Sequence, residues 1–123
     1  MRSMKSKADE KEVRKLVVTQ LKEYRALKVA IENKNERVIE GVSDLFPVLD
    51  DKDKEKELII RQIDRSLENA LDEMEREIIK KKYLGTYREK DINIYLDLGL
   101  SKDQYYNHKK DAIELIAKAL GII

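Results

Sequence analysis

The chain has 123 residues, with 26 Lys plus Arg against 25 Asp plus Glu and a formal net charge of +1. That balance excludes a polycation of the histone or basic-tail kind, and the length suits one compact domain or two small ones. Four glycines and one proline are too few for the turns of a β-sandwich or barrel, and hydrophobic and charged residues at 41% each indicate an all-α protein with charged outer faces. Cysteine is absent and histidine occurs once, which excludes disulfides, thiolate catalysis and Cys- or His-rich metal sites. No apolar run approaches the roughly 20 residues that span a bilayer. The charged start, Met1 to Lys7, leads into Ala8-Asp9-Glu10-Lys11 rather than an apolar stretch, so it does not read as a secretory signal. The expectation is a cytoplasmic protein without membrane contact, with a flexible segment at residues 1–8.

Residues 9 to 33 read as a long amphipathic helix, because Val13, Leu16, Val17, Leu21, Tyr24, Leu27 and Ile31 recur at three- and four-residue steps. Val17, Tyr24, Ile31, Val38 and Leu45 also keep a strict seven-residue spacing, as a coiled-coil seam does, while the companion positions are only partly apolar. Two readings stand: a helix packed on its own domain, and a seam for a homodimer. Asn33-Lys34-Asn35 and Gly41 are the expected breaks. The linker is expected at 44–53, around Pro47, with its acidic end capping the next helix. That helix spans 53 to 70 on the stripe Ile60, Ile63, Leu67, Ala70 and Leu71. A third begins at a capping box, Asp72 with Glu75, and buries Leu71, Met74, Ile78 and Ile79. Lys80, Lys81 and Lys82 fall in its last turn, and Gly85 is the expected left-handed terminator.

The segment from Asp91 to Ile123 carries the functional reading. Asp91 is expected to cap a short helix, Ile92 to Leu98, and Gly99-Leu100 to form a tight turn. Ser101, with Gln104 three residues on, forms a second capping box at the start of a helix running to Ala119. Its expected buried stripe is Tyr105, Ala112, Leu115 or Ile116, and Ala119, with Tyr105 wedged against the first helix and His108 beside the packing face. Two helices joined by a short Gly-containing turn form the helix-turn-helix pattern, and the same pattern occurs in helical bundles that never meet DNA.

In such a unit the second helix enters the major groove by its N-terminal residues. The candidate DNA-binding residues are Ser101, Lys102, Asp103, Gln104, Tyr106, Asn107, Lys109 and Lys110. Gln104 or Asn107 suits adenine, Asp103 suits cytosine N4–H, Tyr106 suits a phosphate or a thymine methyl, and the lysines suit phosphates. Lys80, Lys81, Lys82, Arg88 and Lys90 are further phosphate candidates. From Ile78 to Lys110 eight cations face four carboxylates, a local net of +4 and a moderate footprint for DNA.

Leu71-Asp72-Glu73-Met74-Glu75-Arg76-Glu77-Ile78-Ile79, Tyr83-Leu84 and the stretch Asp91 to Gly121 resemble the fourth region of σ70-type factors. Ile94-Tyr95, Leu98-Gly99-Leu100-Ser101-Lys102, Tyr105-Tyr106, Lys109-Lys110, Ala112-Ile113 and Leu120-Gly121-Ile122 are more closely similar to the ArpU/RinA-like group of phage late transcriptional regulators. Tyr95 stands where helix-turn-helix units generally place a small residue, which fits that group better than σ factors at large. The resemblance implies a helical N-terminal region, 9–70, for oligomerisation or partner binding, and a σ-region-4-like helix-turn-helix domain, 71–123. It implies an activator of phage or prophage late genes, for packaging or lysis, that binds double-stranded DNA. The alternative is a helical adaptor that binds RNA polymerase or a σ-like partner without reading DNA. No Ser/His or Cys/His pairing and no phosphate-cradling glycine loop accompany the many carboxylates, so neither an enzyme nor a cofactor is expected.

Overall fold

The computed structural model describes residues 7–123, with side chains from Asp9 onward. Most of the expected flexible start therefore lies outside the described residues, while Lys7 and Ala8 already belong to the first helix. The described residues form an all-α fold of five helices: α1 (Lys7–Ile39), α2 (Asp53–Asn69), α3 (Glu73–Ile79), α4 (Asp91–Asp97) and α5 (Lys102–Ala119). None of them is long and apolar enough to cross a membrane.

α1 runs unbroken through Asn33-Lys34-Asn35, one of the two expected breaks. It ends at the other, where Gly41 takes φ +73° and the Val42 N–H closes on the Arg37 carbonyl at 2.9 Å. That closure satisfies an orphan carbonyl of the last turn. Val13, Val17, Leu21 and Tyr24 line the buried face of α1 at four- and three-residue steps. Leu16 lies off that stripe, 46% exposed, at the rim of a shallow recess with Ile59, Leu120 and Ile122. The seven-residue seam divides accordingly. Val17 and Tyr24 are buried in the chain's own core, while Val38 and Leu45 stay exposed with Phe46, Val48 and Leu49.

The acidic run before α2 provides no side-chain cap; Lys52 holds the cap position, and Asp53 pairs with Lys34 of α1. Asp53 and Glu55 act instead through their charge near the helix N-terminus. At the other end, Arg76 of α3 donates to the carbonyls of Leu67 (2.9 Å), Glu68 (2.9 Å) and Leu71 (3.1 Å). One guanidinium thus satisfies two terminal carbonyls of α2 that lack helical partners, together with that of Leu71 just beyond the helix. The Asp72–Glu75 capping box forms in both directions, each bond 2.8 Å.

α3 does not end on a left-handed glycine. It widens into a π-helical turn, Lys80–Leu84, and Gly85 follows in extended conformation, φ −78° and ψ 155°. The lysine triplet therefore lies in this wider turn, which brings Tyr83 and Leu84 against the main core. Gly85 is held from outside, its carbonyl accepting from the Arg25 guanidinium of α1.

Two cores result. The larger gathers Val17, Leu21, Ile63, Leu67, Ile79 and Ile116 with their neighbours, so α1, α2, α3 and α5 pack together. The smaller joins Ile78, Ile94 and Tyr105 of α3, α4 and α5, with Met74, Tyr95, Leu98 and Leu100 packed around it. Along α5 the buried residues are Tyr105, Ala112, Ile113, Ile116 and Ala117; Ala119, expected in the buried stripe, is the last residue of the helix and is exposed.

Candidate nucleic-acid interface

α4 and α5 are joined by a three-residue turn, Leu98-Gly99-Leu100, before the Ser101 cap. Gly99 has φ +70°, a region costly for residues with a Cβ, and Leu100 N–H closes on the Tyr95 carbonyl at 2.9 Å. Leu98 and Leu100 flank it and pack on the smaller core. Tyr95 packs on the same core, its ring tilted at 48° to that of Tyr105 with centroids 5.7 Å apart. The Ser101 box is complete, with Gln104 N–H donating to Ser101 Oγ at 3.2 Å and Ser101 N–H donating to Gln104 Oε1 at 3.0 Å. Gln104 Oε1 is therefore turned back onto its own helix start.

The most connected residue of the region is Asp91, the first residue of α4. It was expected to cap that helix, yet Lys90 holds the cap position and makes no side-chain cap bond. The Asp91 carboxylate reaches across to α5 instead. It accepts from the Tyr105 hydroxyl at 2.5 Å, the Tyr106 hydroxyl at 3.4 Å and Lys109 Nζ at 3.3 Å. Lys82, from the π turn, stands 3.4 Å away and also donates to the Glu89 carbonyl at 3.2 Å. One carboxylate thereby ties three elements together.

The electrostatics follow from that arrangement. Burial works to raise the Asp91 carboxyl, but the Tyr105 hydroxyl, Lys109 and Lys82 outweigh it and hold its pKa below the ordinary carboxylate value. Burial, reinforced by the same carboxylate, pushes the Tyr105 phenol up. Tyr83 is pushed up to about 12, again by burial first and Asp91 second. Lys109 moves down, because burial outweighs its attraction to Asp91.

The candidate residues consequently separate into four groups. Ser101 and Gln104 are exposed but engaged in the cap. Lys109 is engaged inward: its side chain is only 13% exposed, and its ammonium lies 4.9 Å from the Tyr106 ring centroid and 5.4 Å from that of Tyr105. Tyr106 shares this cluster with its ring half open, and Lys82 is likewise tied down. Lys110 is exposed and pairs with Glu10 of α1 at 3.1 Å. Lys102, Asp103 and Asn107 stand exposed on the first two turns of α5, and among the described residues they make no ion pair or side-chain hydrogen bond. Lys80, Arg88 and Lys90 are exposed, Lys81 partly so, without ion pairs among the described residues. His108 is half-buried.

Sequence reasoning missed the contribution of α1. Arg14, Lys22 and Arg25 belong to the charged face of an amphipathic helix, which reads as solvated surface in a linear pattern. In the fold, Lys22 and Arg25 face Arg88 and Lys82 across one recess, and Arg14 faces Lys109 and Lys110 across another. Compared with known protein families, curated proteins and solved structures, the chain finds no match.

Proposed function

We propose that the chain is a sequence-specific DNA-binding transcriptional regulator that lays the start of α5 in the major groove of duplex DNA. The observation that carries this reading is the α4–Gly99–α5 unit. Its longer helix opens on a completed capping box and presents Lys102, Asp103 and Asn107 outward, free of partners among the described residues. Asn107 is the adenine reader in this account, because its amide fork is open, whereas Gln104 must give up its cap to offer Oε1. In the same reading Asp103 accepts from cytosine N4–H and Lys102 neutralises a phosphate. Exposed Arg88 and Lys90, in the loop leading to α4, extend the basic footprint.

The resemblance to ArpU/RinA-like regulators makes the promoters of phage or prophage late genes the proposed targets, and activation the proposed outcome. The exposed apolar run Val38, Ile39, Leu45, Phe46, Val48 and Leu49 favours a second reading, a helical adaptor that docks on RNA polymerase or a σ-like partner. The test is fluorescence anisotropy with duplexes from the gene's own upstream region at two salt concentrations. Affinity that is sequence-selective and falls with salt supports the DNA reader. Absence of binding at low salt, with salt-insensitive capture of purified polymerase, favours the adaptor.

A further inference from the structure

A recess of about 500 Å³ lies between α1 and the segment that connects the π turn to α4. Four cations line it, Lys22 and Arg25 from one side and Lys82 and Arg88 from the other, and no carboxylate is among its lining residues. Two of the four are fixed in place. Arg25 donates to the Gly85 carbonyl, and Lys82 is held by the Glu89 carbonyl and Asp91. Lys22 and Arg88 are exposed and have no ion pair among the described residues. Asp91 offsets Lys82 alone, on the side toward α4 and α5; the remaining like charges repel, so the arrangement gains most from an anion that several donors reach at once. A phosphate, with charge spread over several oxygens, matches a guanidinium fork and convergent ammonium groups better than a single carboxylate does.

We infer that this recess is a phosphate-binding cleft, with Lys22, Arg25, Lys82 and Arg88 as its cationic wall. Resting on the DNA reading above, the phosphate is one of the duplex backbone beside the segment that α5 reads. Asp91 connects the two places, since it holds Lys82 at the cleft and Lys109 on α5. α1 then acts as a positioning element that fixes the register of α5 on the duplex. A free phosphorylated small molecule offers the same chemistry, and the experiment separates these two sources.

Two probes are titrated into the full chain at low salt: inorganic pyrophosphate followed by phosphorus NMR, and a labelled duplex followed by anisotropy. Each is repeated with K22E/R88E and with K52E/K54E, which carries the same charge change at the α2 start, near Lys34 and far along α1 from the cleft. For the duplex, K22E/R88E is expected to lower affinity about tenfold or more beyond K52E/K54E and to reduce the salt slope by about 2, one contact for each lost cation. For pyrophosphate, saturable broadening with wild type is expected to disappear in K22E/R88E alone. A selective loss with either probe supports the cleft. Loss with the duplex identifies the backbone as source, and loss with pyrophosphate alone identifies a small phosphorylated ligand. If K22E/R88E and K52E/K54E behave alike with both probes, the inference is overturned. A wild-type chain that binds pyrophosphate but no duplex overturns the DNA reading while leaving the cleft. K22A/R88A, which removes the two charges without adding new ones, keeps the test decisive if the reversal perturbs folding.

Discussion

Replacing Asp91 with alanine tests whether one carboxylate organises the α4–α5 unit. The substitution removes the only side-chain acceptor seen for the buried Tyr105 hydroxyl among the described residues, at 2.5 Å, and the anion beside the largely buried Lys109 ammonium. Leaving a buried hydroxyl unsatisfied costs about 1–3 kcal/mol, and losing a hydrogen bond to a charged group costs a similar amount. Asp91 is partly solvated and water can reach part of the gap, so about 3 kcal/mol is expected for the whole change. At an unfolding entropy of about 2 cal/mol/K per residue, that lowers the melting temperature by roughly 12 °C. Urea titration followed by circular dichroism, with thermal melts beside it, measures both. Y105F, which keeps the ring and loses the hydroxyl, should cost only about 1 kcal/mol. D91A/Y105F should then be little worse than D91A, because Asp91 and the hydroxyl share one interaction. A loss below about 0.5 kcal/mol in D91A, the range of ordinary surface changes, would refute the assignment of Asp91 as the hub.

Further expectations follow from the same contacts. Because folded Asp91 has a depressed pKa, its contribution is complete above the unfolded aspartate value, about 4, and is lost as pH falls through the lower folded value. D91N should therefore show a flatter acid limb than wild type in stability measured from pH 6 to pH 2. K109A should lose stability yet leave the salt slope of DNA binding unchanged, whereas K102A should keep stability and reduce the slope by about 1; competition assays at several salt concentrations read the difference. G99A should cost about 1 kcal/mol by urea denaturation, since alanine at φ +70° is strained although its Cβ meets nothing nearby. S101A should cost a similar amount, about 1 kcal/mol, through loss of the cap.

Local chemistry in the chain carried much of the architecture. Both capping boxes, the Gly41 end of α1, the Gly99 turn and the Val13–Val17–Leu21–Tyr24 stripe follow from spacing within a few residues, where helical geometry fixes which groups can meet. What spacing misses is the partner chosen when a local bond and a distant one compete. Asp91 sits where a cap residue belongs, but Tyr105 and Lys109, 14 and 18 residues away, offer a buried hydroxyl and a cation, and these win. The same competition draws Lys109 inward from the exposed face that its neighbours Asn107 and Lys110 occupy. Gly85 is flexible enough for a left-handed end, yet the π turn and Arg25 of α1 set it in extended conformation. The basic recess was invisible because half of its wall is 60 residues from the other half, as Arg25 and Gly85 are.

The central claim is that the exposed start of α5 reads duplex DNA. Its most direct measurement is anisotropy of wild type and K102A/N107A with the same set of upstream duplexes across a salt series. Wild type is expected to select one duplex and to bind it with an affinity that falls steeply with salt. The double variant should lose about 1–3 kcal/mol of discrimination at one base position and about 1 unit of salt slope. Equal affinity and equal selectivity in the two proteins would contradict the claim.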